Sequence, residues 1–430
     1  MFYTFYGDDF TGSTDVLEQL ALYGVSAVLF LRMPTDAELA RFRGVDALGI
    51  AGDSRSRSPE WMDRNLPAIF GFMKSMNAQV NHYKVCSTFD SSAVRGSIGR
   101  AMEIGSRVFS PRFVPIVVVA PHLRRYVVFG NLFARDSDGE IKRIDRHSMS
   151  LHPATPMREA DLRRHLAAQT GIRIDLLDLP ALREHRAEER LDSLVEGGAG
   201  AVLFDGIDDD DMGRSGELLM KEAGRSPMFV VGSSGVTAAV LSARRKASNA
   251  AAKVSRKDGP NERGPLLVVS GSCSLVTMAQ VQYAAEHGFR SIAVDTAKLC
   301  NSETARELVE KISQEVSKAL TDGVSAVLYT ALGPQGRSSV GNELGHALGV
   351  LLKRILKETR QRRVVLCGGD TSSHAVQQLG CYALTSIQAT QAGAPLCRIH
   401  TDDPDIDGLE LVLKGGQVGS RDFFEVVRDL

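Results

Sequence analysis

The sequence predicts an α/β protein built of two α/β domains, with mainly parallel sheets and a ligand cleft between the domains. The 430 residues exceed what one hydrophobic core usually serves, which favours two domains. Short runs of Val, Ile and Leu alternate with charged helical patterns, as expected of buried parallel strands joined by helices. A polar, cation-rich stretch at 244–264 predicts a linker. The predicted domains are therefore residues 1–243 and 265–430.

The first domain opens with a short apolar run that leads into a Gly-bearing loop at 7–13. Two extended segments, 127–131 and 140–144, flank an Asp-Gly turn and predict a β-hairpin inserted into the α/β pattern. Carboxylates favour a helix N-terminus, so the acidic run 208–211 predicts a solvated helix start. The other predicted strands lie at 25–31, 45–50, 82–86, 116–120, 201–204 and 228–231, and helical patterns at 15–22 and 160–168.

A second α/β series follows the predicted linker. Its intervening patterns are long enough for well-formed helices. The predicted strands are 266–270, 291–294, 324–330, 364–366 and 409–413, and the predicted helices are 275–285, 302–320 and 340–359.

Composition and charge exclude several classes of function. The 51 basic and 52 acidic side chains give a net charge of −1, which offers no argument for nucleic acid or a membrane as partner. No apolar run reaches the roughly 18 to 20 residues that span a bilayer, and the N-terminus lacks a signal-peptide pattern. The six cysteines form no CxxC pair and no zinc-ligand spacing. We expect a reduced, cytoplasmic protein, with a homo-oligomer as an open alternative.

Three Gly-rich turns follow predicted strands of the second domain, and carboxyl ends of parallel strands can share one sheet edge. Glycines let backbone N–H groups approach phosphate oxygens, and hydroxyls add donors. Any one such turn is more often a plain turn, and none has P-loop or dinucleotide-fingerprint spacing. Together they predict a nucleotide-phosphate site, with the candidate residues Ser270, Gly271, Ser272, Gly368, Gly369, Asp370, Thr371, Gly415 and Gly416.

The N-terminal half carries adjacent carboxylates and cations at strand ends. Asp8 and Asp9 diverge if the backbone is extended, so one can face a ligand while the other caps the following helix. Arg55 or Arg57 can hold a substrate carboxylate through two hydrogen bonds, or be a solvated loop cation. Lys84 lies in a short apolar strand, where an unpaired ammonium is costly. We expect it to meet a protein carboxylate or a ligand anion.

These parts fit phosphoryl transfer. That reaction needs a Mg²⁺-bound nucleotide, a positioned acceptor hydroxyl, a carboxylate to orient or deprotonate the hydroxyl, and cations for the developing charge. Covalent hydrolase chemistry is unsupported, because the sequence has no GxSxG elbow and no Ser/Cys–His–Asp set with defensible spacing.

Taken in order, the motifs resemble those of the four-carbon acid sugar kinase family, which phosphorylates small sugar acids and related keto acids. The resemblance runs nearly end to end. It implies an N-terminal domain for the sugar acid and a C-terminal domain for ATP. The motifs that carry it are Asp8-Asp9-Phe10-Thr11-Gly12-Ser13, Ser54-Arg55, Lys84 with Ser87-Thr88, Gly232-Ser233-Ser234-Gly235, Ser270-Gly271-Ser272-Cys273-Ser274, Gly368-Gly369-Asp370-Thr371 and Lys414-Gly415-Gly416.

The resemblance implies an ATP-dependent kinase that uses Mg²⁺, with Asp8 or Asp9 as the catalytic carboxylate. The sequence does not choose the metal ligands; Asp370 can serve Mg²⁺ or ribose. Two alternatives stay open: a non-catalytic nucleotide or sugar-acid sensor, and an oxidoreductase with a divergent dinucleotide site. The expected substrate-binding residues are Thr11, Arg55, Lys84, Ser87 and Asp90.

The chain departs from the family pattern between Lys84 and Gly96. Cys86 stands where the family has a carboxylate, and extra residues separate Thr88 from the next Arg-Gly pair. Asp90 is a candidate for the missing charge. This departure resembles the branch of the family that acts on the branched-chain oxo sugar acid 3-oxo-isoapionate, and it puts threonate and erythronate in doubt as substrates. A 3-oxo-tetronate or a tetronate stays open as the alternative acceptor.

Overall fold

The computed structural model describes residues 1–136, 138–152, 155–248, 264–333, 341–391 and 393–430, with the backbone alone at 248, 341–342, 369–371 and 389. The chain forms two compact units. The first comprises Met1–Ala27 and Thr35–Val254, and the second comprises Val28–Pro34 and Ser255–Leu430. A short N-terminal segment thus belongs to the second unit.

The helices and strands of the N-terminal half follow one another in strand–helix alternation, interrupted once by three short strands. In chain order they are β1 (Tyr3–Gly7), α1 (Phe10–Leu22), β2 (Ala27–Phe30), α2 (Asp36–Ala40), β3 (Ala47–Ala51), α3 (Pro59–Ser75), β4 (Val80–Lys84), α4 (Ile98–Phe109), β5 (Val114–Val117), β6 (Arg125–Val128), β7 (Asn131–Arg135), β8 (Ile141–Arg143), α5 (Leu162–Ala167), β9 (Ile174–Leu177), α6 (Leu179–Arg183), α7 (Ala187–Glu196), β10 (Ala201–Phe204), α8 (Asp209–Arg225), β11 (Met228–Gly232) and α9 (Ser234–Ser248).

The described strands of the first unit form a parallel sheet in the order β3-β1-β4-β11-β5-β10-β9. Its strands are buried on both faces because helices cover them. On one face, Phe70 of α3 and Phe109 of α4 pack against Phe229 of β11, with ring centroids 5.3 and 5.1 Å from the Phe229 centroid. These apolar contacts fix the sheet whose carboxyl edge carries the candidate acceptor site.

The predicted hairpin is only partly correct. The Asp-Gly turn does join two antiparallel strands, β7 and β8. The predicted strand 127–131 is wrong, because Phe129 and Gly130 have positive φ angles of 49° and 80° and turn the chain between β6 and β7. The result is a three-stranded antiparallel sheet.

The second unit continues the alternation after the predicted linker. Residues 244–248 of that stretch belong to α9, and 249–263 lie outside the described residues. The remaining elements are β12 (Leu267–Ser270), α10 (Leu275–Glu286), β13 (Arg290–Ala293), α11 (Thr296–Leu299), α12 (Ala305–Thr321), β14 (Ala326–Tyr329), α13 (Gly341–Thr359), β15 (Arg363–Cys367), α14 (Gly369–Gln378), β16 (Ala383–Gln391), β17 (Ala394–His400), β18 (Glu410–Lys414) and α15 (Phe423–Arg428).

The sheet of the second unit is mixed. Strands β13-β14-β12-β15-β18 are parallel, and β17, β16 and β2 extend the sheet by antiparallel pairing. Strand β2 comes from the N-terminal segment and pairs through Val28 and Phe30 with Thr385 and Ala383. Two α/β units with mainly parallel pairing confirm the predicted fold class.

No helix in the described ranges is long and apolar enough to cross a membrane.

Candidate functional site

Five parallel strand ends line up along one edge of the first unit's sheet. Gly7 of β1 pairs with Ala51 of β3 and Lys84 of β4, and Gly232 of β11 pairs with Lys84 and Val117. The loops that leave these ends carry the predicted acceptor-site residues. Their shared edge is where α/β sheets bind ligands.

Asp8 and Arg55 form a two-pronged ion pair at this edge. Arg55 Nε donates to Asp8 Oδ2 at 3.1 Å, and Nη2 donates to Oδ1 at 2.7 Å. The same Nη2 lies 3.0 Å from Asp9 Oδ1. Backbone contacts fix the pair, because the Arg55 N–H donates to the Asp8 carbonyl and the Asp8 N–H donates to the Lys84 carbonyl. The fork of Arg55 is thus engaged by protein carboxylates.

Asp9 caps helix α1, as predicted for one of the two carboxylates. Its Oδ1 accepts the Gly12 N–H at 2.8 Å, and its carbonyl accepts the N–H and hydroxyl of Ser13. A Cβ on Gly12 would lie 2.4 Å from Asp9 Oδ1 and 2.8 Å from Lys84 Nζ. Only glycine leaves room for that carboxylate and that ammonium to approach the same point.

The electrostatics separate the two carboxylates. Asp8 is 3% exposed, and burial raises its pKa to about 6. Arg55 and Lys84 oppose this rise, whereas Asp9 adds to it. The pKa of Arg55 is well above its ordinary value, because the two carboxylates outweigh the effect of its burial. A carboxylate with a pKa near neutrality is suited to accept a proton from a hydroxyl.

Lys84 lies within electrostatic range of Asp8, but its side-chain hydrogen bond goes to a backbone carbonyl. It is 3% exposed, and its Nζ donates to the Val85 carbonyl at 2.9 Å. Its charge lowers the pKa of Asp8. The ammonium, Arg55 and the two carboxylates therefore form one charged group at the strand ends.

The segment that departs from the family pattern folds into this region. Thr88 Oγ1 donates to Asp90 Oδ1 at 2.7 Å and lies 3.0 Å from Cys86 Sγ. Thr155 Oγ1 donates to Asp90 Oδ2 at 3.2 Å. Burial raises the pKa of Asp90, but the charge of Arg55 and the hydrogen bond from Thr88 outweigh it and leave the pKa lowered. Asp90 thus brings a negative charge near Arg55, but both its oxygens already accept hydroxyls.

The remaining two predicted substrate residues are less engaged. Thr11 lies in the first turn of α1 and Ser87 in the loop after β4, and both are half-buried. Their hydroxyls stay candidates for substrate contact.

In the second unit, the three predicted Gly-rich turns do lie along one sheet edge. Ser270 of β12 pairs with Cys367 of β15, which pairs with Lys414 of β18. The Gly271 N–H donates to the Cys367 carbonyl, and the Gly368 N–H donates to the Lys414 carbonyl. These bonds hold the turns side by side.

Hydroxyl groups fix the orientation of the last turn. Ser274 caps α10 and also donates to the Gly416 carbonyl at 2.6 Å, and Thr277 Oγ1 donates to the same carbonyl at 2.9 Å. In a planar trans peptide the next N–H, that of Gln417, points the opposite way. Among the described residues, the N–H groups of Cys273, Gly416 and Gln417 have no protein acceptor. Such unpaired amides beside a helix N-terminus suit phosphate oxygens.

Two glycines of these turns are required, Gly368 by its backbone conformation and Gly416 by close packing. Gly368 has a φ of 107°, which a non-glycine residue rarely adopts. A Cβ on Gly416 would lie 2.7 Å from Ser272 Oγ and 3.1 Å from Ser274 Cβ. The glycines thus allow the turn after β18 to approach the turn after β12.

Lys414 places a buried cation beneath these turns. It is 1% exposed, and its Nζ donates to Thr277 Oγ1 and to the Gly415 carbonyl, both at 3.1 Å. Burial lowers the pKa of Lys414. Its bonding partners are neutral, so a bound phosphate would compensate its charge.

The structure describes only the backbone of two predicted nucleotide residues. Asp370 and Thr371 lie at the start of α14, and their side chains lie outside the described residues. In the described part of the chain, no three His, Cys, Asp or Glu side chains are arranged to hold a metal ion.

Sequence reasoning missed two side-chain pairs, Arg55–Asp8 and Thr155–Asp90, and it did not single out Lys414 as a site residue. The Arg55–Asp8 ion pair joins residues 47 positions apart, so no local sequence spacing indicates it. Lys414 carried a detectable signal, since it ends an apolar strand just before Gly-Gly, as Lys84 ends β4. Thr155 follows a segment without a recognisable pattern, and nothing in the sequence linked it to Asp90.

Comparison with known proteins matches both units. Residues 3–240 match a family model described as a sugar-binding N-terminal domain, and residues 267–424 match one described as a nucleotide-binding C-terminal domain. These descriptions give the first domain a sugar ligand and the second domain a nucleotide ligand.

Similar proteins align over nearly the whole chain. A 3-oxo-isoapionate kinase of Paraburkholderia graminis is 40% identical, with 99% of this chain and 93% of that protein covered. A 3-oxo-tetronate kinase of Cupriavidus necator is 28% identical, with 98% and 96% covered. A solved structure from Salmonella typhimurium LT2 has a TM-score of 0.83 at 25% identity and covers 99% of this chain and 98% of its own.

Proposed function

The chain belongs to the four-carbon acid sugar kinase family and is a sugar-acid kinase, and from this premise we propose that it transfers a phosphoryl group from ATP to a hydroxyl of 3-oxo-isoapionate. This choice of substrate is supported by the 40% identity, over 99% of the chain, to a 3-oxo-isoapionate kinase. The 3-oxo-tetronate kinases at 27–29% identity make a 3-oxo-tetronate the second candidate. Kinase relatives that align end to end leave the sensor and oxidoreductase alternatives without support.

Asp8 is the proposed general base. Its pKa of about 6 leaves it ionised at neutral pH yet basic enough to assist proton removal from the acceptor hydroxyl. Arg55 holds both oxygens of Asp8 and so positions the carboxylate. Asp9 caps α1 and shares Arg55, so its proposed role is to fix the loop that presents Asp8.

The turns after β12, β15 and β18 are the proposed phosphate site. Their unpaired N–H groups and the buried ammonium of Lys414 are suited to bind a polyanion such as the ATP phosphates. Mg²⁺, when bound with the nucleotide, would offset phosphate charge during transfer. Within the acceptor site, Lys84 and Arg55 supply positive charge next to the attacking hydroxyl.

The departure after Lys84 supports the branched acid. Cys86 replaces a charged side chain of the family pattern with a thiol whose pKa is raised by burial, so the thiol stays neutral. A neutral group of this size tolerates a branched carbon skeleton that a charged carboxylate would repel or exclude.

An ADP-release assay with Mg–ATP tests the proposal. The acids would be 3-oxo-isoapionate, 3-oxo-tetronate, threonate and erythronate. We expect ADP release that depends on an added oxo acid and is greatest with 3-oxo-isoapionate. ADP release at the same rate with and without an acid would contradict the proposal. The absence of ADP release with every acid, despite ATP binding, would also contradict it.

A further inference from the structure

The acid's carboxylate needs a cationic partner. Arg55, the candidate from the sequence, already gives its Nε and Nη2 to Asp8. Lys84 donates to its neighbouring carbonyl and lies beside Asp9. If both cations serve the protein's own carboxylates, a substrate carboxylate placed there would meet two negative charges.

Arg125, at the start of β6, forms no ion pair among the described residues, although the charge of Asp136 acts on it at longer range. Its Nη1 donates to the carbonyls of Leu123 and Arg124 at 3.0 and 3.2 Å. Its Nε is buried and has no hydrogen-bond acceptor. Among the described residues, no carboxylate lies within ion-pair distance of its guanidinium. A buried donor without an acceptor is destabilising, and a bound anion would remove that cost.

Backbone contacts hold Arg125 near the acceptor edge. Arg125 and Ala120 exchange two backbone hydrogen bonds of 3.1 and 3.0 Å. Ala120 is three residues beyond the end of β5, and β5 neighbours β11 at Gly232. The Val85 N–H in turn donates to the Gly232 carbonyl at 2.8 Å.

Electrostatic coupling agrees with this placement. Burial lowers the pKa of Arg125, whereas a negative charge on Cys86 or on Asp136 would raise it, so the guanidinium lies within electrostatic range of both. Cys86 interacts in the same way with Arg55 and Asp9. Arg125 therefore approaches the charged group from the side of the Cys86 loop.

We propose that Arg125 binds the carboxylate of the acceptor acid through its Nε–Nη2 edge, which selects acids over neutral sugars. The inference rests on the proposed function. The guanidinium fork matches a carboxylate with two parallel hydrogen bonds, and the three carbonyl contacts of Nη1 keep that fork in place. Arg55 and Lys84 then serve the acceptor hydroxyl and its base.

The test is the steady-state kinetics of Arg125→Gln, with Arg124→Gln as the control. Arg124 is the exposed neighbour in the same turn. For Arg125→Gln we expect KM for the acid to rise at least about 30-fold while KM for ATP changes less than about threefold. The amide of the acid, a poor substrate of the wild type, should become as good as the acid in this variant.

The outcomes separate the two claims. Wild-type turnover with an unchanged acid KM in Arg125→Gln overturns the role of Arg125 and leaves the kinase proposal standing. No wild-type turnover with any acid overturns the proposed function. If Arg125→Gln does not fold, Arg125→Lys decides, because it keeps the charge but not the two-pronged geometry, and we expect it to raise KM for the acid. A lower melting temperature with an unchanged KM for the acid would mean that Arg125 only anchors the turn.

Discussion

Asp8 and Asp9 are adjacent in sequence but have different surroundings. Extended backbone at Asp9, with φ −143° and ψ 162°, sends the two side chains apart. Asp9 satisfies the first turn of α1, whereas Asp8 is buried against Arg55. Asp9 stabilises the loop, and Asp8 has a raised pKa that suits a general base.

The raised pKa of Asp8 gives the activity a defined pH dependence. The base must be ionised, so kcat/KM should fall about tenfold per pH unit below pH 6 and be flat above it. An ordinary aspartate, with a pKa of 3.8, would place this limb about two pH units lower. A pH profile of kcat/KM measures it, and a limb near pH 4 would contradict the assignment.

Removing the base should have a large effect. For Asp8→Asn we expect kcat to fall roughly 10²- to 10⁴-fold, because the amide cannot accept the proton. The exposed Asp53, which pairs with Arg57, supplies the control Asp53→Asn, for which we expect near wild-type kcat. If kcat of Asp8→Asn stays within a few-fold of wild type, Asp8 is not the base.

Lys414 offers a test of the nucleotide site. In Lys414→Met the buried charge is lost, and we expect KM for ATP to rise about 10- to 100-fold, as for a charged hydrogen bond of roughly 1.5–3 kcal/mol. We expect KM for the acid to stay close to the wild-type value. Lys318→Met, on the exposed face of α12, is the control, and an equal rise in both variants would refute the assignment.

Whole elements bring the nucleotide turns together. Parallel strands in register place Ser270, Cys367 and Lys414 side by side, so turns far apart in sequence meet at one edge. The helix α10 then begins between two of them, with Ser274 linking its first turn to Gly416. The geometry of the turn after β18 depends on the absence of a side chain at one position.

Two neighbouring glycines test this dependence. An alanine methyl at Gly416 would meet Ser272 Oγ at 2.7 Å, whereas one at Gly415 would make an ordinary 3.5 Å contact with Val418. We expect KM for ATP to rise at least about tenfold in Gly416→Ala and much less in Gly415→Ala. Calorimetric ATP binding would verify the difference, and equal affinities would show that close packing at Gly416 is irrelevant.

Some elements escaped prediction for physical reasons. Strands β16 and β17 pair antiparallel with register shifts, and β16 carries several polar residues in place of an apolar run. Strand β2 was predicted as a strand, but its place in the second unit's sheet depends on long-range pairing with β16. Apolar runs mark buried parallel strands well and mark exposed or mixed strands poorly.

For the whole molecule, sequence order was enough to predict the fold class and the ligand class of each half. Near-continuous Val/Ile/Leu runs mark the central strands, and Gly-rich turns mark their carboxyl ends. The pairing of Arg55 with Asp8 and the buried, unpaired Nε of Arg125 could not be predicted. Both depend on which side chains of separate loops meet, and that information lies in the tertiary structure.

The substrate depends on the site as a whole, and a competition experiment tests it most directly. The enzyme would receive 3-oxo-isoapionate and 3-oxo-tetronate together with limiting Mg–ATP, and the two phosphorylated products would be separated and counted. We predict that kcat/KM favours 3-oxo-isoapionate at least about tenfold, as expected when a site fits one carbon skeleton better than another. Equal use of both acids, or preference for the 3-oxo-tetronate, would contradict the account.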